Sequence, residues 1–170
     1  MTGPVSRALD GSYLAADIRP GLQAVPNEPR GHIAESIRRD FADSLDLDAA
    51  SRTRHPGDAR WDYLLGHAPS SQVIGVETHS AETSQVTRVI QKRAASLVHL
   101  RDQLRAGHRV AAWYWAASGP VDFVPHEKTV IRLNDNGIRF VGGRLEPRHL
   151  AELSSKPIPA PGRRRTRPRR

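Results

Sequence analysis

The chain has 170 residues, which suits one domain that is long enough to bury a core. It has no cysteine, so a disulfide framework and a Cys-ligated zinc site are both excluded. No apolar run reaches membrane-spanning length, and the first ten residues lack the apolar core of a signal peptide, so we expect a soluble cytoplasmic protein with no membrane partner.

The positive charge is concentrated at the C-terminus. The net charge is +8, and six arginines lie within residues 163–170, which leaves only +2 for residues 1–162. Residues 154–170 are rich in Pro and Arg and cannot bury apolar area, so they are predicted to be a disordered tail. Such a tail can bind nucleic acid through its phosphates, and an inert solubilising tail is the equally open alternative.

The first third of the chain reads as an irregular segment followed by a helix. Residues 1–30 are loop-rich and contain several prolines, with a short strand predicted over 12–18. Residues 31–47 are predicted to be helical because apolar residues recur every four positions. These residues are Ile33, Ile37, Phe41 and Leu45. Residues 48–58 are polar and include a turn at 55–57.

Two apolar runs then carry acids where a buried strand should have none. Residues 60–65 contain Asp62, and residues 72–79 contain Glu77 and His79. A hairpin closed by residues 66–71 in a symmetric register places Asp62 opposite Gly75, whose missing side chain leaves room for an ion or a phosphate. Asp62, Glu77 and His79 then share one face. Buried carboxylates are costly unless they are paired or hold a metal, so these residues are the first candidates for a site.

The remaining elements complete an α/β pattern. Residues 80–105 form the strongest predicted helix, which Gly107 ends, and 109–117 form a strand with Trp113 and Trp115 on one face. A C-terminal β-hairpin is predicted for 129–133 and 138–141, around the Asn136-Gly137 turn signal, followed by a short helix over 147–153. We therefore expect a single domain over 31–153 with a central mixed sheet flanked by helices.

This order of elements resembles the restriction-endonuclease-like fold of the PD-(D/E)xK nuclease superfamily, over roughly residues 31–117. Asp62 matches the first acid of the motif and Glu77 the second, while His79 stands where the superfamily has Lys. Glu35 on the first predicted helix matches an extra acid that some members carry. The chain departs from the pattern in having Trp61 where Pro precedes the first acid, and in lacking a clear first strand of the acidic meander.

The resemblance implies a metal-dependent nuclease that cleaves phosphodiester bonds in DNA or RNA. Asp62 and Glu77, with Glu35, would hold Mg²⁺ or Mn²⁺, which activates water and stabilises charge on the phosphate. His79 would replace the motif Lys beside the nucleophile, and Lys92 on the following helix is a further substitute. Arg88 competes with Lys92 for that role. Nucleic acid is expected to bind at this face and at the Arg-rich tail.

Each candidate also has a structural interpretation. Asp62 can simply pair with Arg60, Glu77 can cap the following helix, and His79 can be a structural residue at the end of a strand. The mild charge of residues 1–162 favours an alternative function, a catalytically inactive nuclease-fold module that binds nucleic acid or regulates a partner. The pair of acids favours the enzyme, because a module that only binds phosphate gains nothing from two carboxylates facing it.

Overall fold

A computed structural model describes residues 2–124 and 127–155 of the chain. Within these ranges the sheet has six strands, in the spatial order β1 to β6. The strands are β1 (Arg19–Pro20), β2 (Phe41–Asp46), β3 (Tyr63–His67), β4 (Gln72–Ala81), β5 (Val110–Val121) and β6 (Ile138–Phe140). Neighbours from β1 to β4 are antiparallel, whereas β5 runs parallel to β4 and to β6. The sheet is therefore mixed, as the sequence predicts.

Short helices and one long helix connect the strands. The α-helices are α1 (Pro4–Ala8), α2 (Asn27–Arg30), α3 (Leu47–Arg52), α4 (Val86–Arg101), α5 (Lys128–Asp135) and α6 (Pro147–Leu150). Single 3₁₀ turns cover Tyr13–Asp17, Glu35–Asp40, Thr83–Gln85 and Ala151–Ser155. In the part of the chain that the structure describes, no helix is long and apolar enough to cross a membrane.

The two faces of the sheet bury separate apolar clusters. One cluster packs α4 and α5 against Trp113 and Trp115 of β5. The other cluster lies on the opposite face, where Tyr114 packs with the neighbouring strands and with Ile37. The predicted alternation along β5 is thus confirmed, since successive strand residues point to opposite faces.

The acidic hairpin forms, but in a register shifted by two residues. Tyr63 lies opposite Val76 and Leu64 opposite Gly75, because His67 joins the end of β3 and leaves only residues 68–71 for the turn. A shift of two leaves every strand side chain on its predicted face. The expectation that Gly75 leaves room for an ion beside Asp62 is wrong, because the ring of Trp113 fills that space.

Strand alternation over residues 60–65 predicts that Trp61 shares a face with Tyr63 and Leu65, but it lies on the opposite side of the sheet from them. It precedes β3, so the alternation of the strand does not extend to it. Its ring makes a T-shaped contact with Trp113, with centroids 5.3 Å apart, and its backbone N–H donates to Oγ of Ser96 on α4 at 2.8 Å. Trp61 therefore ties the start of β3 to α4.

The helix predicted over residues 31–47 is wrong. A 3₁₀ turn occupies Glu35–Asp40, and Phe41–Asp46 forms β2, which pairs with β3. The strand is fixed by a contact distant in sequence: the carboxylate of Asp43 accepts the N–H groups of Val5 and Ser6, at 3.1 and 2.7 Å. β2 supplies the strand before the acidic hairpin that the sequence pattern did not reveal.

Residues 1–30 are not a separate irregular segment, since much of this region packs into the core. Val5, Leu9 and Leu14 are fully buried in the cluster beneath α4. The strand predicted over 12–18 is a 3₁₀ turn, because Oγ of Ser12 accepts the N–H of Leu14 at 3.1 Å and caps it. The domain therefore begins near the start of the chain.

The C-terminal β-hairpin is also wrong. Lys128–Asp135 forms α5, and β6 follows it in parallel with β5. Val130 and Leu133, three residues apart, face the core from the helix, and Gly137 ends it with φ of +70°. The Asn136-Gly137 pair thus terminates a helix instead of closing a hairpin. The first two residues of the predicted disordered tail, 154–155, lie in the 3₁₀ turn Ala151–Ser155, so the tail prediction is wrong there. The rest of the predicted tail, from residue 156, lies outside the described residues and stays a prediction.

Candidate active site

Asp62 and Glu77 meet at the end of the β3–β4 pairing. The N–H of Asp62 donates to Oε2 of Glu77 at 3.0 Å, and the N–H of Thr78 donates to Oδ2 of Asp62 at 3.0 Å. Each carboxylate therefore accepts a backbone amide from the neighbourhood of the other. These two bonds fix the acids side by side, on the face of the sheet that α4 covers.

Lys92 reaches both acids from α4. Its Nζ donates to Oδ1 of Asp62 at 3.0 Å and also to Oε1 of Glu77. The long side chain spans from the second turn of α4 to the sheet, so its ammonium reaches both acids. Arg88, the competing candidate, is exposed on the same helix. Lys92 is thus the basic residue that the fold brings to the acid pair.

The burial of these three groups is graded. The side chain of Glu77 is fully buried, that of Lys92 is 14% exposed and that of Asp62 is 22% exposed. Solvent therefore reaches the cluster mainly at Asp62. Any substrate or ion that approaches from solvent meets Asp62 before Glu77.

The environment changes the proton affinity of two members of the cluster. Burial, and then the carboxylate of Asp62, raise the pKa of Glu77 to about 8, although Lys92 partly offsets them. Burial alone would lower the pKa of Lys92, but the two carboxylates beside it raise that pKa. The ammonium is therefore held charged at neutral pH, and Glu77 is able to hold or release a proton near neutrality.

His79 lies two residues beyond Glu77 but turns to a different partner. Its Nε2 is 3.0 Å from Oε1 of Gln85, in the turn before α4. Its backbone carbonyl accepts the indole N–H of Trp115 at 3.2 Å. The imidazole is thus engaged at the start of the helix, and the contact with the two acids that the motif assigns to a base is made by Lys92.

Glu35 is not brought to the acid pair. Its side chain is 89% exposed and lies 3.7 Å from Nη1 of Arg38. The 3₁₀ turn that carries it packs through Ile37 into the cluster on the opposite face of the sheet from α4. The helix predicted over residues 31–47 would have carried Glu35 towards the acids. The chain instead forms a short 3₁₀ turn over Glu35–Asp40 and then the strand β2.

Sequence patterns missed the backbone contribution to the site. The N–H of Thr78 holds Asp62, and its hydroxyl lies 3.4 Å from the same oxygen. A backbone donor leaves no signature in residue type, so only its place directly after Glu77 could have indicated it. Ser96, whose Oγ accepts the backbone N–H of the residue before Asp62, lies outside the apolar stripe predicted for the helix and so was not selected.

The described residues offer a metal two carboxylates. Within residues 2–124 and 127–155, no group of three or more His, Cys, Asp or Glu side chains is arranged to hold a metal ion. Comparison of the chain with models of known families, with curated proteins and with solved structures found no match. The chemistry of Asp62, Glu77 and Lys92 is therefore the basis for any functional conclusion.

Proposed function

We propose that this protein is a metal-dependent phosphodiesterase that cleaves nucleic acid, with a restriction-endonuclease-like arrangement of its site. The observation that carries the proposal is the ammonium of Lys92 placed against both Asp62 and Glu77. Two acids and a lysine are the residue types that the PD-(D/E)xK motif uses. In this chain the lysine comes from α4, and the strand position is left to His79.

The order of elements supports the same proposal. The strands β2, β3 and β4 form an antiparallel meander, α4 follows, and β5 returns parallel to β4. This arrangement supplies the strand before the acidic hairpin that was missing from the sequence pattern. Glu77 lies on β4, the third strand of the meander, and Asp62 directly precedes β3, the second strand.

The donor set fits a small divalent cation such as Mg²⁺. Mg²⁺ is commonly bound through one or two carboxylates, with water and substrate phosphate as its other ligands. Oδ1 of Asp62 and Oε1 of Glu77 already converge on one cationic group, the ammonium of Lys92. Asp62 and Glu77 would hold the ion, which when bound stabilises negative charge that develops on a phosphate.

The protein's own groups have separable roles in this proposal. Asp62 is the partly exposed acid and faces the incoming substrate. Glu77 is held by the N–H of Asp62 in a fully buried position, where it would give up its proton when the cation binds and supply a ligand oxygen. A bound ion would take the place of the ammonium between the acids, and Lys92 would then supply a positive charge beside the scissile phosphate and orient the attacking water.

The test is cleavage of labelled single- and double-stranded DNA and RNA with Mg²⁺, Mn²⁺ or EDTA. Asp62→Asn, Glu77→Gln and Lys92→Met should each lower the rate by at least about a hundredfold, a typical effect of losing a charged catalytic group. Glu35→Gln is the matched control and should leave the rate within about twofold. Circular dichroism would establish that each variant is folded.

A variant of His79 distinguishes the assignment of the basic role to Lys92 from the assignment to His79 that the motif implies. Because the imidazole bonds to Gln85, His79→Ala should reduce cleavage far less than Lys92→Met. Equal losses from both variants would return the catalytic role to His79.

The inactive module remains the second candidate function, because residues 1–162 carry a net charge of only +2. Absence of metal-dependent cleavage of all four substrates, together with no Mg²⁺ or Mn²⁺ binding by calorimetry, would favour it over the enzyme. In that case the three charged groups are a structural ion cluster.

A further inference from the structure

A second region of unusual charge lies on the other flank of α4. A cavity of about 1050 Å³ opens there beside β5 and β6. Five arginines line it, and we call it the arginine cleft. They are Arg93 and Arg101 of α4, Arg109 before β5, Arg139 of β6 and Arg148 of α6.

The arginine cleft is strongly positive. Glu152 is the acid among the described lining residues, so five guanidinium groups against one carboxylate give the lining a charge of +4. Glu152 pairs with Arg139, and Arg148 lies 2.9 Å from Glu146. Among the described residues, Arg101 and Arg109 have no ion-pair partner and are exposed. Several like charges gathered around one cavity repel one another, and an anion in the cavity would relieve that repulsion.

Arg93 adds an unsatisfied donor to the wall. Its guanidinium packs over the ring of Trp113, 5.7 Å from the ring centroid. Its Nε is buried and has no hydrogen-bond partner among the described residues. A buried donor without an acceptor is costly, and the side chain that carries it lines the cleft.

The shape and lining of the cleft indicate the class of ligand. Guanidinium groups bind phosphate oxygens in pairs, which makes arginine the preferred residue for phosphate recognition. Leu97, Val110 and Phe140 add apolar surface to the same cavity. The volume is at the upper end of the range of about 300–1,000 Å³ for small-molecule pockets, so a ligand larger than inorganic phosphate fits.

We propose that the arginine cleft binds a phosphorylated small molecule with at least two phosphate groups, of nucleoside diphosphate or triphosphate size. A triphosphate carries a charge of about −4, which balances the lining. A nucleic-acid strand fits the observations less well, because such binding uses a basic surface along the chain path, whereas here the charge is gathered around one bounded cavity.

This site is independent of the acid pair. Lys92 reaches towards β3 and β4, whereas the next residue, Arg93, packs over Trp113 of β5. Neither Lys92 nor Asp62 nor Glu77 is among the described residues that line the cleft. Ligand binding here can therefore be measured whether or not the protein cleaves nucleic acid.

The test is calorimetric titration of the full-length chain with ATP, ADP, AMP, tripolyphosphate, adenosine and inorganic phosphate at physiological salt. ATP should bind saturably at one site, with affinity falling in the order ATP, ADP, AMP as phosphates are removed. Tripolyphosphate shows what the phosphates contribute alone, and adenosine shows what the ring contributes. No saturable binding of ATP or ADP at millimolar concentration overturns the proposal.

The matched variants place the ligand in the cleft. The double variant Arg101→Gln, Arg109→Gln should weaken ATP binding at least about tenfold, because it removes two guanidinium groups and lowers the charge of the lining from +4 to +2. Both side chains are exposed, so the fold should survive. The control is the double variant Arg39→Gln, Arg88→Gln, which removes two exposed charges outside the cleft and should leave affinity within about twofold. Equal weakening by both changes would assign binding to general charge and overturn the proposal.

Titration with a single-stranded oligonucleotide, followed by fluorescence anisotropy, distinguishes the remaining source of phosphate. If the double variant Arg101→Gln, Arg109→Gln loses oligonucleotide binding but ATP never binds, the cleft serves a nucleic-acid backbone and the small-molecule proposal is wrong. If ATP does not displace the oligonucleotide, and the same double variant loses binding of ATP but keeps binding of the oligonucleotide, the proposal stands.

Discussion

The backbone N–H of Asp62 donates to Oε2 of Glu77 at 3.0 Å, at the end of the β3–β4 pairing. The side-chain carboxylate of Glu77, and not a backbone carbonyl of β4, accepts this hydrogen bond from the backbone N–H of Asp62. The carboxylate of Asp62 returns the contact through the N–H of Thr78. The same two hydrogen bonds therefore position the acids and join the ends of β3 and β4. A change to either acid is expected to disturb that end of the sheet as well.

The raised proton affinity of Glu77 gives a specific pH dependence of stability. Its pKa rises to about 8 in the folded protein, chiefly because it is buried. The folded chain then holds a proton that the unfolded chain releases, so this group lowers stability as pH rises from about 4.5, its ordinary pKa, to about 8. Above that pH its contribution levels off. One proton sets a limit of about 1.4 kcal/mol per pH unit.

Urea unfolding of wild type and Glu77→Gln between pH 5 and pH 9 measures this contribution. The stability of Glu77→Gln relative to wild type should rise across that window, because the variant has no carboxyl to ionise. Histidines with lowered pKa, such as His67 and His99, titrate in both proteins and cancel in the difference. Glu35→Gln makes the same substitution at an exposed position, and its stability difference from wild type should not change with pH. A stability difference for Glu77→Gln that also does not change with pH would contradict the raised pKa of Glu77.

Removal of the ammonium should destabilise the protein most at high pH. Lys92→Met leaves Asp62 and Glu77 facing each other without a cation, and loss of one partner from a buried ion pair costs about 3–5 kcal/mol. Solvent access at Asp62 reduces this to about 3 kcal/mol. The loss should be smaller at pH 6, where Glu77 can take up a proton.

The measurement is the urea midpoint of Lys92→Met at pH 6 and at pH 9. Arg52→Met is the comparison, because Arg52 and Asp48 form an exposed pair on α3 that is worth no more than about 0.5 kcal/mol. Equal destabilisation of Lys92→Met at both pH values would mean that the charge of Lys92 does not compensate the acids.

The sequence pattern predicted the acid pair because strand alternation survives a register error of two. It failed at β2, where Phe41 and Leu45, four residues apart, lie on opposite faces of the sheet because the pairing with β3 is irregular between Phe41 and Asp43. The contact of Asp43 with α1 that decides between strand and helix is distant in sequence. Asn136-Gly137 was ambiguous, because a left-handed glycine serves both hairpins and helix ends. The reach of Lys92 depends on how α4 packs, which periodicity does not encode.

Asp43 should be among the most sensitive acids for stability. It is buried on β2 and accepts the N–H groups of Val5 and Ser6, with the Ser6 hydroxyl at 2.7 Å. Hydrogen bonds to a charged group are worth about 1.5–3 kcal/mol each, but the bonds here share one desolvated carboxylate, so we expect Asp43→Ala to cost about 3 kcal/mol. Hydrogen exchange of the Val5 and Ser6 amides should accelerate with it.

Asp46 is the comparison for Asp43, because its carboxylate accepts a backbone N–H that is close in sequence. Its carboxylate accepts the N–H of Ala49 at 2.8 Å and caps α3 from the adjacent position. Asp46→Ala should cost about 1 kcal/mol, the usual value for a helix N-cap. If the two variants lose the same stability by urea denaturation, the long-range anchoring of α1 by Asp43 has no special weight.

Gly75 is required by the close approach of Trp113. A Cβ at position 75 would lie 2.5 Å from Cε3 and 2.9 Å from Cζ3 of that ring. The ring has little room to retreat, since the ring of Trp61 makes a T-shaped contact with it and the guanidinium of Arg93 lies over it. Gly75→Ala should therefore destabilise the protein by about 1–3 kcal/mol through overpacking and shift its tryptophan fluorescence.

Gly119 on β5 is the control, because a Cβ there meets nothing within 4 Å. Gly119→Ala should change stability by less than about 0.5 kcal/mol. A smaller ring tests the cause directly: in a Trp113→Leu background the further change Gly75→Ala should cost less than it does in wild type, because the clash is removed. An equal cost in both backgrounds would place the requirement for glycine in the backbone of β4, not in its contact with Trp113.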